Sequence, residues 1–328
     1  MGSSQACPNR REHRLGRRRP RRFHQYQAVG VRAQIRRFAR KLAQGLRARA
    51  HGPHRQAEVP AGFERGGELM AISLASLQMT SALTPPRILI HGVAGVGKST
   101  FAADADRPVF IMTEDGLGKL QVPHFPLAKC YADVAGALDA LLTENHDFGT
   151  VVIDSVDWLE PLIWAEACLR NGWASIETPG FGKGYAEALT VWREYLDKLN
   201  ALRDQKGMVV IQIAHTDIKR FDSPEHEPYD RYVIKLQTRA SALLQEHSDV
   251  VLFANYQISV AKSDVGFNKK VTRALGSGAR VMHTEERPAF LAKNRYGLPD
   301  TLPLSWAEFM AGMVSGDRGP SGAAKAPR

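Results

Sequence analysis

From residue 86 onward, short runs of β-branched and apolar residues alternate with longer stretches whose apolar positions recur every three or four residues. The first pattern predicts buried strands and the second amphipathic helices, and their alternation is that of a parallel sheet with crossover helices. Strands are predicted at 87–91, 108–113, 150–153, 208–214 and 250–256, each ending in a polar residue or glycine, where an open α/β sheet places ligands. Between the third and fourth, Leu189, Trp192, Leu196, Leu199 and Leu202 recur at helical spacing, with Glu194 and Lys198 four apart on the outer side, which predicts an amphipathic crossover helix. Residues 257–304 are richer in Gly, Thr and basic residues and predict hairpins followed by a final strand. After Met313 the Gly/Ser/Ala/Pro composition predicts a disordered tail, 314–328. The expected fold class is therefore α/β, a mostly parallel sheet flanked by helices, with a C-terminal β-hairpin region.

Composition changes this picture in one place. The 328 residues carry a formal charge of +10 and are 44% hydrophobic, ample for a buried core. The excess charge is confined to residues 1–69, where sixteen Arg and one Lys face four Glu. The remainder holds 27 basic and 30 acidic groups and is slightly acidic. Runs such as Arg17-Arg18-Arg19-Pro20-Arg21-Arg22 bury too little apolar surface to offset ordering entropy, so 1–69 is expected to be a disordered arm, apart from a short amphipathic helix around 31–49. Three readings stand for it: a basic nucleic-acid tail, an Arg-rich targeting peptide, or sequence translated upstream of a start at Met70. Residues 70–313 form the expected catalytic domain. No apolar run is long enough to cross a membrane. The three cysteines, Cys7, Cys130 and Cys168, have neither disulfide nor metal-ligand spacing, which favours a reducing, cytoplasmic setting.

The chemistry concentrates at predicted strand ends. Gly92-Val93-Ala94-Gly95-Val96-Gly97-Lys98-Ser99 fits G-x-x-x-x-G-K-[ST], after an apolar strand and before a helix opened by Lys98, Ser99 and Thr100, which is the context of a phosphate-binding P-loop. The glycines let backbone N–H groups wrap phosphates, Lys98 brings positive charge to the β/γ oxygens, and the Ser99 hydroxyl can ligate Mg²⁺. Thr150-Val151-Val152-Ile153-Asp154 ends an apolar strand in a carboxylate suited to the same magnesium ion. Ser155 comes next, where many P-loop ATPases carry a Glu that polarises the attacking water. Glu114, at the end of the second strand, is the candidate base, with Asp115 next in register. His215 ends the fourth strand and is a candidate sensor of nucleotide state.

These motifs, together with Thr113-Glu114-Asp115-Gly116, Gly182-Lys183-Gly184-Tyr185, Ala214-His215-Thr216, Tyr229-Asp230-Arg231-Tyr232 and Ala292-Lys293-Asn294-Arg295-Tyr296-Gly297-Leu298-Pro299, resemble the RecA-like P-loop ATPases of phages and prophages. That group includes core-only recombinases that anneal single strands. The resemblance covers about residues 86–304 and implies ATP and Mg²⁺ as ligands, with a homo-oligomer holding ATP at subunit interfaces. It makes Lys293 and Arg295 fingers reaching the neighbouring subunit's ATP. It also places single-stranded DNA contacts in two loops. One is 171–185, with Trp173, Phe181, Lys183 and Tyr185; the other is 217–239, with Lys219, Arg220, Phe221, Tyr229, Arg231 and Tyr232. The second loop also carries Asp222, Glu225, Glu227 and Asp230, so it suits a structured lid as well. ATP hydrolysis coupled to single-stranded DNA binding in phage-type recombination, annealing or replication is the expected activity. Annealing, or loading onto strands held by a single-strand-binding protein, is expected rather than strand invasion. A nucleotide-gated assembly protein that binds ATP and a protein partner but no DNA is the alternative, and a small-molecule kinase is a third reading.

Overall fold

The structure, a computed structural model, describes residues 84–316 except 223–226 and 265–269, and gives only backbone over 258–264, 270–277 and at 316. The arm at 1–69 and the tail beyond 316 lie outside the described residues. In chain order the elements are β1 (Arg87–Gly92), α1 (Lys98–Ala103), β2 (Pro108–Met112), α2 (Tyr131–Thr143), β3 (Thr150–Asp154), α3 (Val156–Asn171) and α4 (Lys183–Lys206). The second half of the chain adds β4 (Val209–Phe221), β5 (Tyr229–Ile234), α5 (Thr238–His247), β6 (Val250–Asp264), β7 (Lys270–His283), β8 (Lys293–Asn294), β9 (Thr301–Pro303) and α6 (Trp306–Gly316).

The sheet runs β2-β3-β4-β1-β6-β7-β9, with β5 added to β4 and β8 to β6. Its first five strands are parallel, and the remaining pairings are antiparallel. All five predicted strands are present, and the mostly parallel α/β class is the observed one. Two strands run well past their expected ends. From Thr216 to Phe221, β4 leaves its parallel neighbours and pairs with β5, and β6 continues to Asp264 against β7. An antiparallel partner satisfies the backbone groups that would otherwise end each strand. The segment 217–239, expected to be a loop, is therefore a hairpin followed by the first turn of α5.

Both faces of the parallel strands are covered, as the near-continuous apolar runs require. Successive side chains alternate between them. Leu89, Val109, Ile111, Val151, Ile153 and Val210 face one layer of α2, α3, α4 and α5. Ile88, Ile90, Phe110, Val152, Ile211 and Leu252 face the other, formed by α1 and α6. The predicted crossover helix is α4. Trp192, Leu196, Leu199 and Leu202 are buried, whereas Leu189 only packs against the rim of the core. Glu194 and Lys198 do not pair with each other: Glu194 takes Arg170 of α3, and Lys198 takes Asp139 of α2. Tertiary partners have displaced the local pair.

Helix α6 is absent from the expected elements, although Trp306, Phe309, Met310 and Met313 recur at helical spacing and are the apolar residues it buries. It extends three residues past the expected domain end at 313. Its Trp306 and Phe309 pack edge-on against Phe101 of α1, with ring centroids 5.6 and 6.0 Å away. This contact seats the helix that begins with Lys98. Phe309 is completely buried, so Phe309→Ala should lose about 3–5 kcal/mol of unfolding free energy through lost burial and a residual cavity. Chemical denaturation would measure it, and a loss below about 1 kcal/mol would mean that α6 is not part of the cooperative core.

Candidate active site

The site is assembled at the carboxyl ends of β1, β2, β3 and β4. Each strand contributes its last residue or the few just beyond it. Strand β1 lies between β4 and β6, and Gly92, its final residue, sits opposite His215 on one side and Ala254 on the other. A Cβ at Gly92 would lie 2.1 Å from the Ala254 carbonyl oxygen, so only glycine lets the chain turn out of the sheet here. The ensuing turn uses Gly97 at φ 105°, a backbone conformation open to glycine, and then enters α1.

Lys98 is the buried cation of this turn, only 6% exposed. Its Nζ donates to the carbonyl oxygens of Gly92 and Val93, at 3.0 and 3.2 Å. Burial pulls the ammonium below its ordinary pKa, against the opposing pull of Asp154, Asp157 and Glu114. The next residue, Ser99, donates its hydroxyl to Asp154 Oδ2 at 2.7 Å. Two hard oxygen donors from separate elements thus meet beside the lysine. Burial raises the Asp154 carboxyl, and the Ser99 hydrogen bond partly offsets this.

A reciprocal bond ties β2 to β3. The Ser155 N–H donates to Thr113 Oγ1 at 2.8 Å, and the Thr113 hydroxyl donates to the Ser155 carbonyl at 2.6 Å. The peptide joining Asp154 to Ser155 is cis. Held by the Thr113–Ser155 bonds, Glu114 lies beside the ends of β3 and β4, its carboxylate 3.9 Å from His215 Nε2. Burial raises Glu114, while His215 lowers it and the neighbouring Asp154 and Asp157 add to the rise. A carboxylate whose pKa is raised is a better proton acceptor than an ordinary one, which is what a general base needs.

Asp157, in the first turn of α3, is a site residue that the sequence pattern did not single out. Its carboxylate accepts the His215 backbone N–H at 3.0 Å and faces His215 Nδ1 at 3.0 and 3.2 Å. Burial is the largest influence on Asp157 and pushes it up, but the His215 ring and backbone bonds together bring it below the usual carboxylate range. The same pairing raises His215 against its own desolvation. An acidic residue three past a strand-terminal Asp, on the opening turn of a helix, is the signal that was available; its partner fifty-eight residues later was not. On the next turn of α3 the buried Glu160 accepts the Gln237 backbone N–H with both oxygens, at 3.1 and 3.0 Å, and burial lifts it to about 7. One helix face therefore holds both His215 and the entry to α5.

Lys293 and Arg295 do not join this group. Lys293 pairs with Val251 on β6, toward the amino ends of the parallel strands. Its Nζ donates to the carbonyls of Gln245, Glu246 and Ser248 at 2.8, 3.1 and 2.7 Å, closing the carboxyl end of α5 as a cation does. Arg295, 54% exposed at its side chain, reaches Asp249 at 3.4 Å, a carboxylate already bound by Arg87 at 2.8 Å. The two expected DNA segments also depart from open loops. In 171–185, Tyr185 donates to Glu177 and packs on Trp164, whereas Phe181 is fully exposed. In 217–239, Arg231 is buried against Glu286 and the Phe290 carbonyl, and Tyr232 packs on Phe253. Ile218, Lys219, Arg220 and Phe221 remain exposed on β4 beyond His215.

The donor set suits Mg²⁺ shared with a phosphate chain. Ser99 and Asp154 supply one hydroxyl and one carboxylate, and among the described residues no cluster of three metal-ligating side chains forms a self-sufficient cage. Magnesium is commonly held in this way, by one or two protein oxygens plus substrate phosphates and water. Among the same residues no helix is long and apolar enough to cross a membrane.

Residues 84–296 match the family described as the AAA domain. No curated protein matches the chain. Among solved structures, the chain is similar to the crystal structure of the RadB recombinase, at 15% identity over 64% of this chain and 86% of that one, with a TM-score of 0.36.

The His215–Asp157 pair makes a pH prediction. A histidine whose folded pKa is raised contributes stability that is complete below 6.5 and lost as pH rises through the folded value. NMR titration should place His215 above 6.5 in the native protein. In Asp157→Asn it should fall below 6.5, because burial and Lys98 then outweigh Glu114. An unchanged midpoint would show that Asp157 does not set the histidine's charge.

Proposed function

The chain belongs to the AAA-domain family, and from that premise we propose that it binds ATP with Mg²⁺ and hydrolyses it, coupled to single-stranded DNA in phage-type recombination, annealing or replication. The observation that carries the nucleotide reading is the 2.7 Å contact between Ser99 and Asp154 beside the buried Lys98. In this reading the backbone from Gly92 to Gly97, with Thr100 after it, cradles the phosphates, and Lys98 turns from the Gly92 and Val93 carbonyls to the β/γ oxygens. Ser99 and Asp154 would hold the metal, which would supply charge neutralisation to the phosphate chain when bound. Glu114 accepts the proton of the attacking water as its oxygen bonds to the γ-phosphorus and the β–γ bridging P–O bond breaks. His215 reports the presence of the γ-phosphate by exchanging Asp157 for it.

For DNA, the supporting feature is the β4–β5 hairpin, which continues directly from His215 and carries exposed Lys219, Arg220 and Phe221. Trp158, 53% exposed, adjoins Asp157 on α3. Exposed aromatic and basic side chains suit stacking on unpaired bases with backbone neutralisation. The inward-facing Arg231 and Tyr232 favour the second reading, a nucleotide-gated assembly protein acting on a protein partner. A homo-oligomer is part of the proposal. Arg295 is the residue exposed enough to reach a neighbouring subunit's ATP, and Lys293 would first have to give up three carbonyls. A cytoplasmic setting and a single-strand-binding protein as partner belong to the same reading.

ATP turnover with and without single-stranded DNA tests it, on the full chain and on a chain beginning at Met70 to remove the arginine-rich arm. Lys98→Ala should lose ATP binding. Glu114→Gln should keep binding and lower kcat by about 10²–10⁴. DNA stimulation in both chains supports DNA coupling, and turnover indifferent to DNA supports the assembly reading; no ATP binding by the unaltered chain sinks both. In a second experiment, Arg295→Ala should leave ATP binding intact and lower kcat by about 10³ or more. Equal losses in binding and kcat would remove its role in trans.

A further inference from the structure

The P-loop is usually considered from its inner, N–H side. Here its outer, carbonyl side is also occupied, by two residues from the β6–β7 hairpin. Tyr256 of β6 and Arg280 of β7 are direct cross-strand partners. The Tyr256 hydroxyl donates to the Gly95 carbonyl at 3.2 Å, and Arg280 Nη1 donates to the Val96 carbonyl at 3.4 Å. The same guanidinium lies against Gly97, where a Cβ would come within 2.7 Å of Nη1. With Lys98 on the Gly92 and Val93 carbonyls, four carbonyls of one tight turn each have a side-chain donor. Arg280 is an exposed residue, although its bond to Val96 is partly buried.

We infer that Tyr256 and Arg280 are positioning residues for the nucleotide, a pair that holds the loop's carbonyls outward so that its N–H groups stay aimed at the phosphates. A free glycine-rich turn would have to lose backbone freedom on binding; a loop already pinned from outside loses less, and the saving appears as affinity. The arginine adds positive charge next to the phosphate chain without entering the reacting centre, so it acts on ground state and transition state alike. The β6–β7 hairpin then becomes the P-loop's support, tied to it through one cross-strand pair. This inference rests on the proposed nucleotide reading and deepens it.

Titration calorimetry of the full chain with MgATP and MgADP, paired with steady-state turnover and thermal melting without nucleotide, tests the pair. Arg280→Ala is expected to weaken MgATP and MgADP binding about tenfold and Tyr256→Phe about threefold. At saturating ATP, kcat should stay within about twofold, and melting without nucleotide should be unchanged. Arg280→Lys should recover part of the lost affinity. Affinity within about twofold of the native chain in both Arg280→Ala and Tyr256→Phe would overturn the inference while leaving the ATP-binding reading intact. A loss accompanied by a lower melting temperature, with no recovery in Arg280→Lys, would overturn it too, because the pair would then be structural. If the native chain binds neither nucleotide, the underlying reading fails first.

Discussion

Gathering a buried ammonium, two buried carboxylates, and a partly buried imidazole and carboxylate at one edge of a sheet is the constraint on which the rest of this structure turns. Each charge taken from water costs several kcal/mol unless it is paired and hydrogen-bonded. Lys98, Asp154, Asp157, Glu114 and His215 meet that condition only together: Lys98 opposes the carboxylates, Ser99 serves Asp154, and His215 serves Asp157 while standing near Glu114. Because they come from four segments of chain, every connecting element must return to the same edge. The parallel order, with β4 placed between β1 and β3, achieves this.

Strand β4 has the most exacting position. Its first half is buried between two parallel neighbours, and its second half is an exposed hairpin arm. His215 marks the passage from one to the other, and Asp157 holds both its ring and its backbone. Glu160, one turn along α3, holds the entry to α5, the helix after the hairpin. A shift of His215 therefore has a short mechanical route outward, through a helix bonded at both ends of the arm. On the far side of the P-loop, the β6–β7 hairpin makes a comparable connection through Tyr256 and Arg280. The central turn is thus bonded directly to one hairpin, and the strand that leads into it touches the other through His91 and Thr216, 3.1 Å apart.

Much of this was legible along the chain. Leu89, Val151, Val152 and Ile211 announce buried strands because a strand covered on both faces must be apolar throughout, and glycine spacing announces the turn at Gly92 to Gly97. Strand-terminal positions for Asp154, Glu114 and His215 come from the same runs. Other features left no local mark. The extension of β4 depends on pairing with β5, and the place where α6 docks depends on Phe101, although its own apolar spacing is helical. Arg231 reads as an exposed basic residue until Glu286 and Phe290 bury it.

By itself, then, the sequence determined the element types, the layered class and which residues stand at strand ends, because these depend on periodicity and on backbone freedom at glycine, both local properties. Only the tertiary structure decided which of those residues meet. Asp157 with His215, Arg280 with Val96 and Lys293 with the end of α5 are separated by 45 to 184 positions. Pairings across such distances are selected by the whole fold's need to leave no buried charge or backbone group without a partner, a condition that no short stretch of sequence records.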